Sequence, residues 1–433
     1  MKIPFKLKVV FYWLKYQFRK SFRDRGALEQ FQEKQLEKFA KKILTKSVYY
    51  QKYFKHRKFN FDAVPIISKA QFMEHFDKIN TVGILKQEAL QVAIDAENSR
   101  DFKSEIYGIT VGLSTGTSGK RGIFMASETE RAMWAALVMS RVIKPIFFKK
   151  QRIAFFLRAN SNLYSSVESN LFEFRYFDIF QPIDLLIKEL DIFQPHILSA
   201  QPSILVDIAL AQAKGEIDLH LTQVISFAEV LHADDKKLIA KQFNCKFSEV
   251  YQCTEGFLGA TCEHGTMHLN EDFVRIEKEA IDKTRFYPII TDFSRHSQPV
   301  VKYRLDDVLV AKTEPCACGS AHIAIEAIVG RDDDVLVFLV NEKPVKIYPD
   351  LIARRIALAF DEFHKYQLKQ TDYTTIEVAI EAKATELETL KKQFTDTLNT
   401  LLLERDIKGI SYTFKNHIEI GAGNKFRKIQ KMF

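Results

Sequence analysis

Between residues 106 and 251 short apolar runs alternate with longer stretches whose apolar positions recur at helical spacing. The pattern predicts a strand at Tyr107–Leu113, a Gly/Ser/Thr loop, and a long helix from about Ser127 to Val142. Further strand and helix signals fall at Arg152–Leu157, Ile197–Leu198 with Pro202–Ala213, Val224–Ser226 with Ala233–Phe243, and Phe247–Tyr251. Such alternation predicts a large α/β domain with layered, largely parallel sheets. Helical patterns precede it at about 27–45 and 69–78. After about 285 the chain turns to short β runs. Beyond Gly330 it reads β (335–339), α (349–363), β (373–382), α (384–404), β (410–420), a small α+β domain. The expected organisation is an N-terminal helix over 1–25, a main domain over 26–330 and a C-terminal lid domain over 331–433.

Residues 2–25 stand apart. Lys2, Lys6, Lys8, Lys15, Arg19, Lys20, Arg23 and Arg25 are interleaved with Phe5, Val9, Phe11, Trp13, Leu14 and Phe18, and Asp24 is the one acid. The segment reads either as an interfacial helix on an anionic membrane or as a terminal helix packed on the body. Its apolar residues do not fall on one clean face.

Composition narrows the field. At 433 residues the chain exceeds one ordinary core, and its 46% hydrophobic content is that of a globular protein. A net charge of +8 suits anionic ligands but is too dilute for a dedicated nucleic-acid binder, so no nucleic-acid partner is expected. Five cysteines, an odd number, argue against a disulfide framework. With no signal peptide or spanning segment in view, the expected location is the cytoplasm, peripheral to the inner membrane face if the N-terminal helix binds lipid.

The chemistry is densest at residues 112–122, GLSTGTSGKRG. Gly116 and Gly119 let the backbone approach a ligand, Ser114, Thr115, Thr117 and Ser118 offer hydroxyls, and Lys120 supplies charge. Between a strand and a helix such a loop can hold phosphate oxygens. It is not a Walker loop: Ser114 stands where the first glycine belongs, and Arg121 follows Lys120 in place of Ser or Thr. A second cluster joins Cys316-Ala-Cys318-Gly319 to Cys262, His264 and His268, ligand types that suit structural Zn²⁺.

Ser114–Gly122 resembles the phosphate loop of the adenylate-forming (acyl-CoA synthetase) superfamily, written SSGTTGKPKG. The nearest branch is the phenylacetate–CoA ligase-like group. Further segments match in order: PIISKAQF (65–72), AQPS (200–203), FAEV (227–230), YQCTE (251–255), YRLDD (303–307), GRDDD (330–334) and VKIYP (345–349). The resemblance covers the chain from about residue 27, and it implies that superfamily's fold.

It also implies roles. Ser114 to Lys120 would bind the ATP phosphates, Glu255 would place Mg²⁺, Thr254 would reach the α-phosphate, and Tyr251 would stack beside adenine. Asp307 would hold the ribose, with Arg331 beside it, and Asp333 matches the hinge between adenylation and acyl transfer. From the tail GAGNKFRKIQKMF, Lys425 is the implied catalytic lysine and Lys428 the fallback. The zinc set would be Cys262, His268, Cys316 and Cys318, with His264 as a substitute for His268. Departures at Gln252, Leu305, Asp306, Arg121 and Asn424 remove no charged catalytic group.

The expected reaction is ATP-dependent activation of an aromatic or otherwise hydrophobic carboxylic acid to its acyl-adenylate, then transfer to coenzyme A or an acyl carrier protein. An amine acceptor, AMP transfer to a hydroxyl, and a non-catalytic nucleotide-binding scaffold are the alternatives.

Overall fold

The computed structural model describes residues 3–19, 21–99, 104–114, 121–143, 150–157, 172–360, 364–418 and 425–433. Thr115–Lys120, the centre of the expected phosphate loop, and Asn424 lie outside the described residues.

A 12-stranded mixed sheet forms the frame. The alternating segment builds its parallel half: Phe172–Asp178, Gln151–Leu157, Ile197–Ala200, Gln223–Phe227 and Lys246–Cys253 lie side by side in that order. The inner strands Ile197–Ala200 and Gln223–Phe227 are buried on both faces, which is why they read as near-continuous apolar runs. Their crossover helices Ile183–Phe193, Pro202–Ala213 and Ala233–Phe243 close one core around Phe156, Leu198 and Val224. The short β runs build the antiparallel half from Gly256–Thr261 to Val274–Ala280. A second core on the opposite face packs the N-terminal helices and helix Glu128–Arg141 against the sheet.

Ser127 starts that helix with a capping box: its hydroxyl accepts from the Glu130 N–H while Glu130 accepts from the Ser127 N–H. The phosphate loop does not run from a strand into this helix. It closes an antiparallel hairpin between Ile109–Leu113 and Ile123–Ser127, with Leu113 opposite Ile123. The run Ile123–Ser127 alternates buried and half-buried positions and pairs as a strand, so the loop is anchored at both ends by the ladder.

Past Arg331 the chain forms a hairpin, Leu336–Val340 with Lys343–Ile347, and a four-stranded sheet in the order Ser411–Lys415, Thr375–Glu381, Lys365–Asp372, Ile429–Lys431. Helices Pro349–Ala359 and Ala384–Leu403 cover them, and Phe338, Tyr366, Phe394 and Ile429 share a separate core. The last strand pairs parallel to Lys365–Asp372, Ile429 opposite Leu368, and this ladder fixes the tail that carries Lys425.

Candidate active site

Two cavities open where the parallel strands end at their carboxyl edge, the usual ligand position in α/β sheets. The polar one, about 230 Å³, is walled by Tyr251–Glu255, Tyr303–Asp307, Gly330, Arg331, Lys69, Ser114 and the tail 425–429. The other, about 440 Å³, is mostly apolar and is lined by Trp134, Leu137, Phe124, Phe155, Phe227 and Phe257 among others. Ala228, Val250, Gln252, Cys253, Thr254 and Lys425 line both.

Each polar-cavity group is held by a neighbour. The Tyr251 hydroxyl donates to Asp307 Oδ2 at 2.7 Å, and burial pushes the Asp307 carboxyl above its ordinary range. Glu255 accepts from the Tyr303 hydroxyl at 2.9 Å and from the Thr254 hydroxyl at 2.8 Å, which leaves carboxylate lone pairs for a hard cation. Arg331 bonds Asp333 at 3.0 Å and Asp306 at 3.3 Å, so Asp306 is part of a charged turn with a partner in the protein. Ser114 closes the base of the phosphate hairpin: its N–H donates to the Gly122 carbonyl and its Oγ accepts the Gly122 N–H, each at 2.7 Å. A side chain at Gly122 would meet Lys69 Cε at 3.0 Å, so glycine here lets the Lys69 side chain lie close over the hairpin base.

The tail enters over the carboxyl edge. Lys425 lies at the seam of the two cavities, and burial lowers its pKa, opposed by the nearby Glu229 and Asp307. Glu229 follows Ala228, whose left-handed backbone (φ 68°) turns the chain off its strand. The Glu229 carboxylate accepts from the Ser203 N–H at 3.2 Å and the Phe426 N–H at 3.1 Å. Arg427 pairs with Asp334 and lies 3.4 Å from Asp333. Lys428 is buried, its ammonium 2.5 Å from Asp234 and 2.8 Å from Asp235. Lys425 therefore faces the cavities, while Lys428 is committed to the N-terminus of helix Ala233–Phe243.

The motifs carrying Lys69 and Glu229 were visible in the sequence, but their tasks were not. Lys69 donates to Ser114 Oγ at 3.1 Å and joins Lys425 and Lys428 in the wall of the polar cavity.

The cysteine cluster assembles 3.7 Å apart at Cys262 Sγ and Cys316 Sγ and 3.3 Å apart at Cys318 Sγ and His268 Nε2. All four ligand atoms lie within 4.8 Å of one another. Tetrahedral zinc with thiolates at 2.3 Å would place sulfurs about 3.8 Å apart, so the set fits that ion. His268 Nδ1 lies 3.3 Å from the His322 carbonyl, an interaction that leaves Nε2 for a metal. His264 is exposed and outside the cluster.

No protein-family model matches the chain. It is 25% identical over 336 residues to protein CapK of Staphylococcus aureus, covering 74% of this chain and 72% of that one. It is 24% identical over 177 residues to a phenylacetate-coenzyme A ligase of Thermus thermophilus, covering 37% of this chain and 40% of that one. Among solved structures, 2-hydroxyisobutyryl-CoA ligase in its postadenylation state, with 2-HIB-AMP bound, superposes with a TM-score of 0.67 at 16% identity, covering 94% of this chain and 88% of that one. The chain thus has the fold of the adenylate-forming ligases, and its sequence is similar, at 25% and 24% identity, to protein CapK and to a phenylacetate-coenzyme A ligase.

Proposed function

We propose that the chain is an AMP-forming acid–thiol ligase, which joins a carboxylic acid to ATP as an acyl-adenylate and passes the acyl group to coenzyme A. One observation carries this reading: Lys425 stands at the seam between a polar cavity with phosphate-binding chemistry and an apolar cavity large enough for an acid. In the first step an acid oxygen attacks the α-phosphorus and the bond to pyrophosphate breaks. Both reactants are anions, so a fixed cation at their junction favours the transition state. Lys425 supplies it, and Lys69 adds charge beside Ser114. Asp307 orients the ribose and Tyr251 flanks the adenine, its hydroxyl holding the Asp307 carboxylate in place.

Glu255 is the residue that would hold Mg²⁺, which when bound offsets phosphate charge, and Thr254 is poised beside it. On this reading Thr115–Lys120 would bind the ATP phosphates. The aromatic lining of Trp134, Phe155, Phe227 and Phe257 favours an aromatic or otherwise hydrophobic acid. Residues 331–433 act as a lid: Glu229, Asp234, Asp235 and Asp334 hold the tail closed for adenylation, and rotation about Asp333 would expose the adenylate to the thiol. The thiol sulfur then attacks the acyl carbon, its proton passes to solvent, and AMP leaves.

The test is ATP–pyrophosphate exchange against a panel of aromatic and aliphatic acids. Acid-dependent exchange is expected, with AMP release accelerated by coenzyme A. Exchange without thiol-dependent release would move the acceptor to a carrier protein, an amine or a hydroxyl. ATP binding with no exchange for any acid would leave only a nucleotide-binding scaffold.

A further inference from the structure

The N-terminal helix Phe5–Gln17 has two apolar faces, which is why no single face stands out in its sequence. The inner face is used. Val9 and Tyr16 are buried, and Phe5, Tyr12 and Trp13 pack on the core that holds helix Glu128–Arg141. Lys8 pairs with Glu128 at 2.9 Å, Arg19 with Asp272 at 3.0 Å, and Tyr16 meets Phe273 edge-on at 4.8 Å. Tyr16 also lines the apolar cavity.

The outer face is exposed. Ile3, Leu7, Val10, Phe11, Leu14 and Phe18 are each 42–85% accessible. At 3.6 residues per turn Leu7, Val10, Phe11, Leu14 and Phe18 fall in one arc of about 100°, while Ile3 precedes the helix. Lys6 lies about 40° beyond one edge of this arc and Lys15 about 40° beyond the other. Both lysines are exposed, and residues 3–19 contain no acid. Among the described residues no helix is long and apolar enough to cross a membrane.

We propose that this outer face docks on an anionic lipid bilayer, lying in the interface with its lysines at the headgroups. An apolar arc bordered by lysines matches a surface that is apolar inside and negative outside. Borders that carry lysines and no acid favour a uniformly negative surface over the mixed polar rim of a protein interface. The locked inner face makes the helix a rigid foot, which would hold the wall of the apolar cavity against the membrane. The proposal stands apart from the adenylation reading, since it uses none of that chemistry.

Removing residues 1–25 is a poor test because Tyr16 and Arg19 also support the cavity wall. The full chain carrying Phe11→Glu and Leu14→Glu changes only the outer face. Co-sedimentation with mixed phosphatidylcholine–phosphatidylglycerol vesicles should capture the unaltered chain, less in high salt and less with phosphatidylcholine alone. The double variant should partition roughly tenfold or more weaker while its thermal midpoint and nucleotide binding stay unchanged. An unaltered chain that ignores the anionic vesicles, or a variant that binds them equally, overturns the proposal. So does a chain that self-associates without lipid while the double variant is monomeric, because the stripe would then be an interface between copies.

Discussion

Lys428 Nζ sits 2.8 Å from Asp235 and 2.5 Å from Asp234, so a lysine near the C-terminus is paired with the start of a helix in the main sheet. Its ammonium also lies over the Tyr366 ring, 4.6 Å from the ring centre. Three residues upstream is Lys425, and the buried ion pair fixes where that lysine can reach. Lys428→Met leaves two carboxylates facing each other, a loss on the order of 3–5 kcal/mol for a broken buried pair. We expect acid-dependent pyrophosphate exchange to fall at least tenfold, with ATP affinity nearly retained. Unchanged exchange would show that the tail closes without this latch.

Lys425 should matter for turnover and not for stability. Lys425→Ala removes a cation aimed at the junction of the two cavities, while the tail keeps its anchors at Glu229, Asp334 and Asp235. Loss of one such transition-state contact lowers turnover by roughly 10²–10³. Thermal midpoint and ATP binding should change little. A variant that exchanges at the unaltered rate would remove Lys425 from the mechanism.

The same lysine predicts a pH limb. Burial lowers its pKa, and the nearby Glu229 and Asp307 carboxylates only partly oppose that. The useful form is the ammonium, and a lowered pKa means the charge is lost as pH rises through a value below the ordinary lysine range. Adenylation should therefore decline on the alkaline side before a solvent-exposed lysine would titrate. Lys425→Arg, which keeps its proton, should flatten that limb even if its rate is lower. A limb that persists in this variant would belong to another group.

Four of the five parallel strands were legible, the inner ones as apolar runs buried on both faces, Ile197–Ala200 being entirely buried, whereas the edge strand Phe172–Asp178, with half-buried and exposed positions, was passed over. The hairpin around the phosphate loop was not legible, since Ile123–Ser127 precedes the helix directly and the register Leu113–Ile123 is a long-range fact. Helix Ile183–Phe193 and strand Lys365–Asp372 were also passed over. The latter mixes lysine and glutamine with its apolar positions, because Gln370 is buried to bond the backbone of Val337. Glu229 was visible only within its FAEV match and Lys428 only as the fallback catalytic lysine, neither as an anchor of the tail. What each does depends on a partner some 190 or more positions away, Phe426 for the one and Asp235 for the other. A local motif cannot encode such a pairing.

The cysteine cluster gives the last prediction. It ties the turn after Gly256–Thr261 to the segment 316–322, which in turn accepts the N-terminal region: the Ala321 N–H donates to the Phe22 carbonyl at 2.9 Å. A zinc ion there would clamp two ends of the antiparallel half together, and binding energy of a structural metal is folding energy. Protein purified without added metal should contain about one zinc per chain. Cys318→Ser should lose that zinc and lower the thermal midpoint, while the ATP site, built from other residues, keeps its affinity in whatever fraction stays folded. His264→Ala should keep both zinc and stability, because that ring stands outside the cluster. Zinc-free protein with an unaltered midpoint would reduce the four residues to a packed but unliganded group.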